Sequence, residues 1–189
     1  MAYPNLASMI PIKSTTTDGP TLTAAAAASA IPVANKLILP TNYWQIGKHW
    51  RVLILGRQSC AVTTPGTIQW QLRLGPTGTI SVFDTGALGM NIVAKTTVPF
   101  LLEMDLTCRA VGSGTSSNLF GIGRYTSEAV VGAPLPSVGG NGVLMVPVGT
   151  PGAGTGFDNT AANTIDLFYT PSLATASMTV HSMQIWEII

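Results

Sequence analysis

TIQWQLRLG, residues 67–75, alternates without a break. Ile68, Trp70, Leu72 and Leu74 fall on one side, and Gln69, Gln71 and Arg73 on the other. A period of two sends successive side chains to opposite faces of an extended chain. TPG precedes the run and GPTG follows it, so turn-forming residues bound it at both ends. The stretch predicts a strand with one face buried and the other in water.

The same period recurs to either side. HWRVLILGRQSC (49–60) sets Trp50, Val52 and Ile54 against Arg51, Leu53 and Leu55, which predicts a strand partly covered on both faces. VPFLLEMDLTCRAVG (98–112) aligns Val98, Phe100, Leu102, Met104, Leu106, Cys108 and Ala110 opposite Glu103, Asp105, Thr107 and Arg109. NKLILP (35–40) reads as a short strand stopped by Pro40, and NLFGIGRY (118–125) as a strand whose glycines mark a bulge or a close approach. GGNGVLMVPVG (139–149) carries Asn141-Gly142, a hairpin signal between strands. TPGAGTGFDNTAAN (150–163) reads as a long loop.

TIDLFYT (164–170) and SMTVHSMQIWEII (177–189) close the sequence. In the last run Met178 and Val180 are out of phase with Met183 and Ile185, and a bulge near His181 and Ser182 reconciles them. Its apolar end, Trp186 to Ile189, fits a strand paired on both sides. Eight to ten strands with one wet face and no convincing helix predict an all-β, antiparallel β-sandwich, with jelly-roll winding expected at this length.

Residues 1–30 differ from the rest. Three prolines, a Thr run and the Ala24–Ala28 run predict an extended N-terminal arm over 1–30 that crosses the body or reaches a neighbour, with a first edge strand and leader as the alternative, ahead of a sandwich domain over 31–189.

The 189 residues suffice for one domain. Charged residues make up 9%, against about 25% in ordinary soluble domains. Such a surface suits cover by copies of the chain or by other partners. The net charge of +1 and the lack of a basic stripe argue against nucleic-acid binding. The longest apolar tract, Ala24 to Leu39, is interrupted by Pro32, Asn35 and Lys36, so no membrane span is expected. The first residues hold no charged stretch leading into an apolar run, so no secretory leader is expected. Cys60 and Cys108 read as buried thiols of a protein made in a reducing cytoplasm.

Catalytic, cofactor and metal sites are not expected. His49 and His181 have no zinc spacing with the cysteines. Glu103 and Asp105 share a strand face with Arg109, and Arg51, Arg57 or Arg73 can reach them across strands, so ion pairing explains them better than glycoside chemistry. Asp166 and Glu187 read the same way. GSGTSS (112–117) reads as a turn and not a nucleophile elbow. GTPGAGTG (149–156) lacks the Lys-Ser/Thr of a phosphate loop. Trp44, Trp50, Trp70 and Trp186 suit core packing better than a sugar platform.

The run FDNTAANTIDLFYTPSLATASMTVHSMQIWEI (157–188) resembles the closing segment of small structural proteins of tailed bacteriophages. TPGTIQWQLRLGPTGT (64–79) and VPFLLEMDLTCRAVG (98–112) resemble their middle strands, so the resemblance covers about residues 35–189. It implies a virion location after assembly in the host cytoplasm. It also implies a decoration or cement role on the capsid surface, self-association as a homo-oligomer with a trimer favoured, and contact with the major capsid protein or other virion proteins. A tail or fibre component that binds a host receptor or glycan is the alternative. A non-viral carbohydrate-binding module is a second.

Overall fold

The computed structural model describes residues 8–61, 65–131 and 142–189. Twelve strands occur among them: β1 (Met9–Ser14), β2 (Ala28–Ser29), β3 (Leu37–Leu39), β4 (His49–Cys60), β5 (Thr67–Leu74), β6 (Ile80–Asp84), β7 (Leu88–Gly89), β8 (Lys95–Ala110), β9 (Asn118–Ser127), β10 (Val143–Val146), β11 (Asn163–Pro171) and β12 (Ser177–Ile188). The one helical element described is a single 3-10 turn, Val33–Asn35.

Two antiparallel sheets pack face to face. The larger runs β1-β12-β4-β8-β9-β10. The smaller runs β2-β11-β5-β6, with β3 also beside β11 and β7 beside β5. This is the expected all-β sandwich. The jelly-roll form is not established by this order, because β8, β9 and β10 lie side by side as a simple meander. β12 sits between β1 and β4, which accounts for its apolar end. Its register slips between Val180 and Ser182, where the phase break placed a bulge.

Alternation becomes burial. Trp50, Val52 and Ile54 of β4 and Leu102, Met104 and Leu106 of β8 point inward, against Ile68, Trp70, Leu72 and Leu74 of β5. Trp70 joins the two layers, with ring centroids 5.2 Å from Phe100 and 5.0 Å from Tyr169. Each large apolar side chain so buried contributes about 1.5–3 kcal/mol.

Two segments cross between the sheets at opposite edges. In residues 8–30, β1 pairs with β12 as an edge strand, Gly19 N donates to Val180 O, and Leu22 bridges Met178. The chain then passes to the smaller sheet, where β2 pairs with β11 and Ala30 N donates to Leu167 O. At the other edge, Gly154 N donates to Leu119 O of β9, and the next residue, Thr155, donates to Ser81 O of β6. The segment expected as a long loop is therefore pinned to both layers. A side chain on Gly154 would overlap the Val82 carbonyl. The glycines of β9 serve close approach as expected: a Cβ on Gly121 would meet Phe83 and Leu106, and one on Gly123 the Glu103 carbonyl. β10 pairs with β9, and Gly142 has positive φ, but Asn141 lies outside the described residues, as does the rest of that connection from residue 132.

Candidate functional site

The site is built outward from β8. Its inner residues fill the core, so Leu101, Glu103, Asp105 and Thr107 face outward. Register extends each position into a row across the larger sheet. Leu53 of β4, Glu103, Arg124 of β9 and Met145 of β10 form one row. Arg51, Asp105 and Ile122 form the next, continued by Trp186 of β12 beside Arg51. Leu55, Leu101, Thr126 and Val143 form a third. The outcome is a broad face where Leu, Ile, Met, Val and Trp side chains surround four charges. Met145 is 65% exposed and Ile122 39%.

The charges close on one another. Arg51 grips Asp105 through two nitrogens, Nε to Oδ1 at 2.9 Å and Nη2 to Oδ2 at 3.1 Å. His49 Nε2 lies 3.4 Å from the same carboxylate. Burial pushes the Asp105 carboxyl up, but the Arg51 and His49 contacts outweigh it and hold it below the usual carboxylate range. Arg124 pairs with Glu103 on the neighbouring strand. Two depressions dent this face, one of about 370 Å³ over Gly123 between Arg51, Arg124 and Met145, and one of about 500 Å³ bordered by Leu55, Leu101 and Thr126.

Other singled-out residues lie elsewhere and are held by neighbours. Arg109 lies over the Phe120 ring, 3.7 Å from its centroid, instead of pairing with Glu103 or Asp105. Arg73 lies over Phe168 at 3.6 Å. Asp166, almost wholly buried, pairs with Lys36 and accepts from Ser29 Oγ at 2.6 Å. Glu187 pairs with Lys48 at 3.0 Å and accepts from Tyr43 Oη at 2.7 Å. His181 Nδ1 sits 2.9 Å from Asp18, joining the β12 bulge to the N-terminal crossing segment.

Among the described residues no group of three or more His, Cys, Asp or Glu is placed to hold a metal ion. Both cysteines are buried free thiols at opposite ends of the sandwich, and burial pushes both up. Trp44, Trp50 and Trp70 belong to the core. Trp44 does so from a loop, its ring tilted against Trp50 with centroids 4.4 Å apart, and its backbone N and O clamped by the Asn159 side chain at 3.0 and 3.1 Å. Trp186 departs from expectation: its register with Pro11 and Arg51 puts it half-buried on the outer face.

Alternation predicted Arg51, Glu103 and Asp105 on outer faces, and the structure brings them together. Arg124 and Met145 were not singled out. Their signal is cross-strand register, which one sequence does not display.

The chain matches no family model, no curated protein and no solved structure. The site therefore rests on its own geometry: a wide, partly apolar sheet face whose central charges are paired with one another.

Proposed function

We propose that this chain is a non-enzymatic structural protein of a virus particle, a decoration or cement protein of the capsid surface that works as a homo-oligomer. The observation that carries the structural role is the outer face of the larger sheet. The charges of its central rows, Arg51, Glu103, Asp105 and Arg124, are paired with one another, so covering those rows strands none of them, and burying a lone charge is the main cost of such a contact. Its apolar side chains gain by leaving water. A chain with 9% charged residues has little other means of keeping such a face apart from partners. The virion location is supported by the resemblance of residues 35–189 to tailed-phage structural proteins.

Trp186 on the same face favours the second reading, a tail or fibre component that binds a receptor or glycan. Aromatic rings at a surface are the usual platform for sugars.

Copy number decides between them. Quantitative mass spectrometry of purified particles, referenced to the major capsid protein, should find hundreds of copies for a decoration protein. A handful to a few dozen would shift the assignment to tail or fibre. Absence from particles would refute the virion reading.

A further inference from the structure

We infer that the outer face of the larger sheet binds the same face of a second copy about a two-fold axis parallel to the strands, between β8 and β9. The inference rests on the self-association in the proposed function and is independent of the virion location.

The central row carries the argument. Read across the sheet it runs Leu53, Glu103, Arg124, Met145, which is apolar, acidic, basic, apolar. A two-fold axis along the strands, midway between β8 and β9, keeps each row level and reverses its order in the second copy. Leu53 then faces Met145 of the other copy, and Glu103 faces Arg124. Both matches occur twice by symmetry, as an isologous contact requires. The internal Glu103–Arg124 pair becomes a square of four alternating charges, so no charge loses a partner on leaving water. The row of Leu55, Leu101, Thr126 and Val143 adds apolar contact on the same axis.

Met145 is the most exposed large apolar side chain of the face, and about this axis it lies opposite Leu53 of the other copy.

Four strands, β4, β8, β9 and β10, overlap about this axis; at about 4.8 Å apart they span roughly 19 Å, and the seven positions from Leu101 to Thr107 span about 24 Å. That is roughly 460 Å² per copy, below the about 800 Å² per partner of a standard stable interface, so the matched rows and not the extent carry the contact. A partner of strong net charge finds no unpaired counter-charge in these rows, whereas a second copy brings the same paired set in reversed order. The trimer implied by resemblance would need a different, head-to-tail surface.

The test is a charge swap on the full chain, read as solution mass by light scattering and by native mass spectrometry. Wild type should have twice the 19.6 kDa chain mass. Glu103→Arg alone and Arg124→Glu alone each place like charges opposite one another and should be monomeric. An equimolar mixture of the two variants restores acid opposite base at both positions and should form a one-to-one heterodimer. Met145→Asp, at an exposed position, should be monomeric with an unchanged circular dichroism spectrum. A monomeric or trimeric wild type overturns the proposal. So does either single variant remaining a dimer, or a mixture that stays monomeric while both variants are folded. These outcomes are read on isolated protein, so they stand apart from the copy-number result.

Discussion

Replacing Gly154 by Ala tests whether the 150–157 segment is a clamp between the sheets or a free loop. Gly154 N donates to Leu119 O at 2.8 Å and Thr155 N to Ser81 O at 2.9 Å, so two consecutive residues tie β9 to β6. The β-carbon of an alanine would overlap the Val82 carbonyl oxygen and crowd the Val82 Cα. Backbone cannot swing aside as a side-chain end does, so the segment must shift and both hydrogen bonds stretch beyond useful range. Each bond contributes about 1 kcal/mol net, and the unmet buried groups add about 1 kcal/mol more. The expected loss is about 3 kcal/mol, which for a chain of this length lowers Tm by roughly 6–12 °C. Gly152→Ala is the internal control. Nothing lies within 4 Å of a β-carbon built there, and its backbone does not need glycine. It should be neutral or gain about 0.5 kcal/mol by restricting the unfolded chain. Urea denaturation followed by tryptophan fluorescence measures both, since Trp44, Trp50 and Trp70 are buried. Equal stabilities for the two variants would refute the clamp.

Two further perturbations probe the core and the charge pairs. Tyr125 Oη donates to Gln58 Oε1 at 2.6 Å, and Gln58 Nε2 donates to Ser127 Oγ at 3.0 Å, all out of water. Tyr125→Phe leaves the Gln58 oxygen unpaired and should cost about 1–3 kcal/mol in chemical denaturation; no loss would mean the oxygen finds another donor. Burial pushes Glu187 up, but the Tyr43 hydroxyl and the Lys48 ammonium outweigh it and hold it below the usual carboxylate range. A depressed folded-state value stabilises the protein above the unfolded value of about 4.3, and the stabilisation fades as pH falls through the folded value. Glu187→Gln should therefore lower Tm at pH 7 and flatten the fall of Tm between pH 5 and 3; an unchanged acid slope would contradict it.

Strand identity was legible where one face is wet and the other dry. β4 occupies His49–Cys60, the bounds its alternation marks, and β5 and β8 differ from expectation only at their ends. The β12 bulge was legible for the same reason, since an inserted residue reverses the phase of everything after it. β6 and β7 were not. Val82 and Phe83 are both buried as neighbours in sequence, because the β5–β6 register shifts between Leu72 and Arg73 and destroys the period. The Ala24–Ala28 run forms no helix; it lies within the exposed crossing segment, with its last residue opening β2. Trp44 packs in the core as expected although it lies in a loop, whereas Trp186 in a strand does not. A loop tryptophan was drawn inside by Asn159 and Phe157, and a strand tryptophan was turned outward by the bulge upstream of it.

The placement of charge explains why the site was the less legible part. All eight acidic side chains accept a hydrogen bond or an ion pair from a neighbour, and those neighbours are mostly distant in sequence. Lys36–Asp166 fastens β3 to β11, Lys48–Glu187 joins the start of β4 to the end of β12, and Arg51–Asp105 and Arg124–Glu103 span strands of the larger sheet. In water each exposed pair contributes little on its own. Their common effect is to leave the surface without a patch of one sign, so there is no long-range field to steer a charged ligand. On the proposed function, recognition by this chain comes from shape and apolar contact at short range. The outer face of the larger sheet, with its projecting methionine and self-complementary row, is where the fold supplies both.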